Sequence, residues 1–376
     1  MSALQELLKD TFGYDDFRPG QETIIRHVLR QENVLGIMPT GGGKSICYQL
    51  PALLLDNLTL VISPLISLMK DQVDALNLMG IPATYINSTI SYQEMNHRIQ
   101  LAVNKEVKLL YVAPERLESY DFQQMLTHVP IDLLAVDEAH CISQWGHDFR
   151  PSYLRLAEII DQFQQQPTVI ALTATATPQV AEDIVKQLRI PSENEIKTGF
   201  ARENLSFQVV KDQNRDVFLL EYLKMNTGQS GIIYASTRKE VERIYHLLES
   251  KKIAAGMYHG GMSEQLRSEN QEAFLYDQVQ VMVATNAFGM GINKSNVRFV
   301  IHAQVPGNIE SYYQEAGRAG RDGLPSDAVL MFAPQDLQIQ QYFIEQSEMT
   351  IDYKQKEYLK LREMSQIGRA SCRERV

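Results

Sequence analysis

A chain of 376 residues is longer than one hydrophobic core of about 250–300 residues organises, so two or three domains are expected. A hydrophobic fraction of 44% and a charged fraction of 22% exclude a disordered, collagen-like or coiled-coil chain, and no run of about 18 apolar residues is present to span a membrane. The net charge of −10 argues against blanket binding to a polyanion and leaves room only for local basic clefts.

Short apolar runs bounded by Gly, Pro or polar residues predict buried strands at 33–38, 59–63, 83–87, 108–113, 132–136 and 168–173. Amphipathic helices lie between them. One covers 65–79 and stops at Gly80. Ser91 with Glu94 signals the start of another, and Thr177 followed by Pro178 a third. This alternation predicts an α/β fold, a parallel sheet with helices on both faces. Residues 190–207 are polar, hold Pro191 and Asn194, and read as a linker. A second series of strands is predicted at 231–235, 255–258, 279–284, 299–303 and 328–332, with a capping box at Thr237 and Glu240. Residues 335–366 read as helical, and the arginine-bearing tail 368–376 as a cloning or truncation scar.

Two segments carry chemistry. Met38-Pro39-Thr40-Gly41-Gly42-Gly43-Lys44-Ser45 follows a strand and opens a helix, with the Gly-Lys-Ser ending of a P-loop and Met38 where the first glycine usually stands. Its glycines let backbone N–H groups turn toward phosphate oxygens. Lys44 suits the β- and γ-phosphates, and Ser45 suits Mg²⁺. The apolar run into Asp137-Glu138-Ala139-His140 has the Walker B form: Asp137 for Mg²⁺, Glu138 to orient or deprotonate the attacking water.

The remaining motifs narrow the family. Phe12-Gly13-Tyr14 and Phe17-Arg18-Pro19-Gly20-Gln21 resemble motif 0 of the RecQ-family DNA helicases. Segments 61–73, 111–117, 171–177, 231–238, 281–294 and 311–323 resemble the successive helicase motifs in order, and 141–153 resembles the family's aromatic-rich loop. The resemblance covers about residues 3–345. It implies two tandem RecA-like domains, each a parallel sheet flanked by helices, with ATP in the cleft. The expected boundaries are 1–200, 201–340 and a C-terminal helical region at 341–376. It implies ATP- and Mg²⁺-dependent unwinding of DNA, moving 3′ to 5′ on one strand, in repair and recombination.

The resemblance also implies roles. Gln21 and Arg18 would meet the adenine edge and Tyr14 would stack on the base. Arg321 and Arg318 would reach the γ-phosphate, with Arg321 favoured as the finger and the reverse order left open; Gln314 belongs to the same motif. Trp145, Phe149 and Arg150 offer stacking platforms for unpaired bases. Thr173 and Thr175 would link the metal site to the cleft. Ser63, Arg116, Thr237, Arg238, Thr285 and Asn286 are candidates for strand phosphates at loop tips, where contact positions DNA without reading its sequence. Single-stranded and forked DNA are the expected partners, with single-stranded-DNA-binding and repair proteins as candidates. A monomer in the bacterial cytoplasm, near the nucleoid, is expected.

The pattern departs at its end. Many family members continue into a zinc-binding platform and a winged helix, whereas Cys372 stands alone after Cys47 and Cys141 and makes no zinc site. The expectation is a motor core that hydrolyses ATP and unwinds poorly. An RNA helicase of the Asp-Glu-Ala-His class is the competing enzyme reading, disfavoured because Glu315 follows Gln314 where that class usually has arginine. A non-catalytic binding module is disfavoured because Lys44, Asp137, Glu138, Gln314 and both arginines are present.

Overall fold

The structure, a computed structural model, describes residues 2–146, 148–163, 165–199, 201–288 and 294–367. The tail expected at 368–376, Cys372, His147 of the aromatic-rich loop and positions 289–293 of the 281–294 motif lie outside these residues. The chain divides into two compact units, Met1–Ala201 and Arg202–Val376. Among the described residues no helix is long and apolar enough to cross a membrane.

The first unit is built on strands β1 (Val34–Ile37), β2 (Leu58–Ile62), β3 (Ala83–Ile86), β4 (Leu109–Val112), β5 (Ile131–Val136), β6 (Thr168–Thr173) and β7 (Glu195–Lys197). Their order is β3-β4-β2-β5-β6-β1-β7, and every pairing is parallel. Continuous apolar runs are what such a sheet needs, because successive side chains face opposite covered sides. Leu60 and Ile62 enter one core with Leu134 and Val136, while Val61 enters the other with Leu133 and Ala135. Helix starts follow the capping chemistry: Ser91 Oγ accepts from Glu94 N–H, and Thr177 Oγ1 accepts from Val180 N–H.

The second unit holds β8 (Leu205–Lys211), β9 (Ser230–Tyr234), β10 (Ala255–Tyr258), β11 (Val281–Ala284), β12 (Val297–His302) and β13 (Ser326–Phe332). Their order is β10-β11-β9-β12-β13-β8, again all parallel. Both faces carry a core, with Ile232 and Val300 on one side and Ile233 and Ile301 on the other. Gly231 is dictated by packing: a Cβ there would sit 2.0 Å from the Phe299 ring on the neighbouring strand.

One expectation needs correction. Residues 190–207 are not a structureless linker. Glu195–Lys197 joins the first sheet beside β1, and β8 begins at Leu205 and pairs with β13 over seven residues. Backbone pairing won over polar composition, since an edge strand tolerates half-exposed side chains. The C-terminal region is helical as expected, in two helices, Pro334–Gln346 and Ile351–Ile367. The first ends at Ser347, whose backbone is extended.

Candidate functional site

Ligands of parallel α/β sheets bind beyond the carboxyl ends of strands. In the first unit β2, β5, β6 and β1 are consecutive in the sheet. Ser63, Asp137, Thr173 and Met38 sit at or just past their ends, so four motifs distant in sequence share one sheet edge.

The P-loop is fastened at its start by Met38 N–H donating to Thr173 C=O at 3.0 Å. Gly41 and Gly43 adopt left-handed φ of +79° and +74°. A Cβ at Gly42 would lie 2.8 Å from Pro39 O, and one at Gly43 would lie 2.5 Å from Gln21 Nε2. Ser45 then leads into the helix Ile46–Leu54, whose first N–H groups close on the loop itself: Ile46 N–H donates to Gly43 C=O at 3.2 Å and Cys47 N–H to Lys44 C=O at 3.0 Å. Motif 0 packs on this loop. Gln21 is buried, donates from Nε2 to Gly43 C=O at 2.9 Å and accepts at Oε1 from Arg18 N–H at 2.8 Å. Arg18 Nη1 donates to Gly41 C=O. Both side chains therefore hold the P-loop backbone. Tyr14 is 52% exposed, which leaves its ring free of the core.

At the end of β5, Asp137 is buried and accepts from Glu138 N–H at 3.0 Å. Burial pushes its carboxyl up, the Glu138 charge adds to the rise, and Lys44 opposes it. Glu138 takes a left-handed backbone, φ 48° and ψ 48°, uncommon for a side chain of this kind. The twist turns the chain into the short 3-10 turn Ala139–Ile142 and brings His140 under the acids. His140 Nδ1 lies 3.3 Å from Glu138 Oε2 and 3.0 Å from Thr173 Oγ1. Thr173 Oγ1 donates to Thr175 C=O at 3.1 Å and accepts from Thr175 N–H at 3.2 Å. With the hydroxyl proton spent on Thr175, His140 Nδ1 is the donor in this network. Tyr153 OH donates to Asp137 C=O at 3.0 Å.

Ser63 was expected at a loop tip facing phosphate. It is instead buried, and its Oγ donates to Asp137 Oδ2 at 3.5 Å. The strand end, not the loop, sets its direction. Arg116 is bent back on the loop after β3, donating twice to Asn87 C=O at 2.9 and 2.7 Å. Arg150 bridges Asp148 at 3.2 Å and Pro64 C=O at 3.2 Å. It thus ties the aromatic-rich loop to the segment after β2. Trp145 is 39% exposed, with its backbone N–H donating to Ser143 Oγ. Phe149 is half-buried.

In the second unit Thr237 caps the helix Arg238–Ser250 by accepting from Glu240 N–H. Arg238 lies alongside Gly261, where a Cβ would be 3.1 Å from Nη1. Thr285 is buried and Asn286 exposed. Gln314 is half-buried on the helix Ile309–Ala316, and Arg318 is buried in the turn beyond it, beside the Tyr234 hydroxyl. Arg321 is half-buried in the same turn. Asp322 is taken by Arg298, two contacts at 2.6 Å.

Sequence reasoning passed over several supporting residues. Arg202 donates to Gly317, Ala319 and Gly320 C=O, and Asn204 to Gly320 and Leu324 C=O. His302 Nε2 meets Glu315 Oε2 at 2.8 Å in a buried pair behind Gln314. For Arg202 and Asn204 the signal was their polarity in a stretch read as linker. For His302 it was a histidine closing an apolar strand.

The DEAD/DEAH box helicase family model matches residues 18–184, and the helicase conserved C-terminal domain model matches 214–323. The chain is 57% identical over 362 residues to the ATP-dependent DNA helicase RecQ of Bacillus subtilis (strain 168), covering 96% of this chain and 61% of that protein. It is 39% identical over 356 residues to the "Probable ATP-dependent DNA helicase RecS" of the same organism, covering 94% and 71%. Among solved structures, DUF1998 helicase MrfA bound to DNA superposes with a TM-score of 0.73 at 21% identity, over 92% of this chain and 51% of that one, a likeness of fold.

Proposed function

The chain belongs to the RecQ family of helicases, and from that premise we propose that it is the motor of an ATP-dependent DNA helicase moving 3′ to 5′ on single-stranded DNA. One observation carries the reading: the P-loop at the end of β1 and the Asp137–Glu138 pair at the end of β5 flank the end of β6, and Thr173 and His140 join them. Lys44 and the amides of Thr40 to Ser45 would hold the phosphates, and Glu138 would take the proton of the attacking water. Tyr14, with the Gln21 and Arg18 backbone region, would meet the base. Arg321 and Arg318, with Gln314, would stabilise charge on the γ-phosphate.

Mg²⁺ fits the donors present. Ser45 and Asp137 are hard oxygen ligands, and no group of three or more acidic, His or Cys side chains exists among the described residues to form an all-protein cage. Ser45 and Asp137 would hold the magnesium ion, which would neutralise phosphate charge. Strand contact would fall to Trp145, Phe149, Arg150, Arg116, Thr237, Arg238, Thr285 and Asn286, a narrow track that an acidic protein tolerates. Forked DNA and repair proteins are the partners this reading suggests.

The test is ATP hydrolysis with single-stranded DNA, with RNA and with neither. Wild type is expected to be stimulated by DNA. Glu138→Gln is expected to lose at least about 100-fold in rate while still binding nucleotide. Stimulation by RNA alone, or full activity in Lys44→Ala, would overturn the assignment.

A further inference from the structure

Arg318 and Arg321 stand in the turn that follows the helix Ile309–Ala316, outside helix and strand, so its peptide planes need other anchors. Arg202 and Asn204 supply them. Arg202 Nη1 donates to Gly317 C=O at 2.8 Å, and its Nη2 to Ala319 C=O at 3.0 Å and to Gly320 C=O. Asn204 Nδ2 donates to Gly320 C=O at 2.8 Å and to Leu324 C=O at 2.9 Å. Gly320 N–H in turn donates to Val297 C=O at 2.8 Å, where β12 begins. Gly320 has φ +61°, and a Cβ there would lie 2.5 Å from Asn204 Nδ2, so the close approach requires glycine. The two anchors are themselves fixed at the start of β8. Leu205 N–H donates to Arg202 C=O at 2.9 Å, and Ser326 N–H to Asn204 C=O at 2.9 Å, where β8 meets β13.

Two of the carbonyls held this way belong to the peptides that lead into the arginines: Gly317 C=O precedes Arg318, and Gly320 C=O precedes Arg321. A peptide is planar, so holding it sets the direction in which the next side chain leaves the backbone. A guanidinium is a rigid fork that grips several carbonyls at once, and a cation is favoured at the C-terminal end of a helix. We infer that Arg202, with Asn204, is a positioning residue that aims Arg318 and Arg321 at the γ-phosphate. The inference rests on the proposed role of those two arginines. Both positioning residues lie outside the motif segments, between 171–177 and 231–238.

The experiment compares wild type, Arg202→Lys, Asn204→Ala and Arg321→Ala with Mg²⁺ and single-stranded DNA present. It reads ATP hydrolysis, and binding of ADP alone and of ADP with aluminium fluoride, a mimic of the phosphoryl group in transfer. Arg202→Lys keeps the charge and loses the fork. It is expected to lose about ten- to hundredfold in kcat, the cost of a misplacement near 1 Å, with KM for ATP and Kd for ADP unchanged. Affinity for ADP with aluminium fluoride should fall by a similar factor. Asn204→Ala should lose about fivefold on the same two readouts, the weight of one net hydrogen bond. It removes only the Asn204 contacts, so it reports even where Arg202→Lys fails to fold. Arg321→Ala should lose most on both. If Arg321→Ala loses both while Arg202→Lys and Asn204→Ala keep both, the inference is refuted and the role of the arginines stands. Losses that fall equally on ADP and on the mimic, with a lowered Tm, would mark packing alone and refute it too. Wild-type behaviour of Arg321→Ala would overturn the role of the arginines and the inference together.

Discussion

Replacing Gly146 by alanine tests how closely the aromatic-rich loop is joined to the acid site. A Cβ at 146 would lie 2.3 Å from His140 O, 3.0 Å from Ser143 O and 3.2 Å from His140 C. These are backbone atoms of the turn after Glu138, so no side chain can swing aside. Relieving the closest contact needs a separation about 0.7 Å greater, and overpacking of this kind costs about 1–3 kcal/mol. For a unit of about 200 residues, that lowers Tm by about 2–12 °C. The same shift at His140 would stretch its 3.0 Å contact with Thr173 beyond hydrogen-bonding range. A misplacement near 1 Å costs up to about 100-fold in rate, so a ten- to hundredfold loss of DNA-stimulated hydrolysis is expected. Thermal unfolding and ATPase assays on purified variants read both effects. Gly80→Ala is the control, since Gly80 has φ +78° with nothing within 4 Å of a Cβ. Its cost is only the left-handed backbone, about 1–2 kcal/mol, with hydrolysis retained. If Gly146→Ala melts and hydrolyses like wild type, the coupling of loop to acids is refuted.

Three further outcomes are expected. Tyr153→Phe removes the bond to Asp137 C=O and should cost about 1 kcal/mol in chemical denaturation; no change would mean the carbonyl finds another donor. Trp145→Ala should raise the single-stranded DNA concentration for half-maximal stimulation by about five- to hundredfold, the weight of one stacked base, whereas a lower Tm with unchanged DNA response would mark a structural anchor. Arg298→Ala releases Asp322. Burial pushes that carboxyl up, but Arg298 and the Leu324 N–H pull it below the ordinary 3.8. A lowered folded pKa stabilises above pH 3.8 and loses its effect as pH falls through the lowered value. The stability gap between wild type and Arg298→Ala should therefore be constant near neutrality and close below pH 3.8; a gap that widens in acid would contradict the pairing.

Apolar runs with Gly, Pro and capping residues between them suffice to place eleven strands, the parallel α/β class and the helix starts at Ser91, Thr177 and Thr237. They do so because each depends on contacts within a few residues. The P-loop and the Asp137–Glu138 pair are legible for the same reason: strand, turn and helix start are contiguous in the chain. Only the tertiary structure decided the rest. Glu195–Lys197 and Leu205–Lys211 become strands because a sheet edge beside β1 and another beside β13 await them, and composition carries no trace of that. Ser63 turns to Asp137, Gln21 and Arg18 turn to the P-loop carbonyls, and His140 reaches Thr173 across 33 positions of sequence. Those pairings depend on strand order, since β2, β5, β6 and β1 lie side by side in the sheet while the residues at their ends are far apart along the chain. Which residues carry phosphate chemistry is a local matter of type and spacing; which ones hold them in place depends on a sheet that forms only when the whole unit folds.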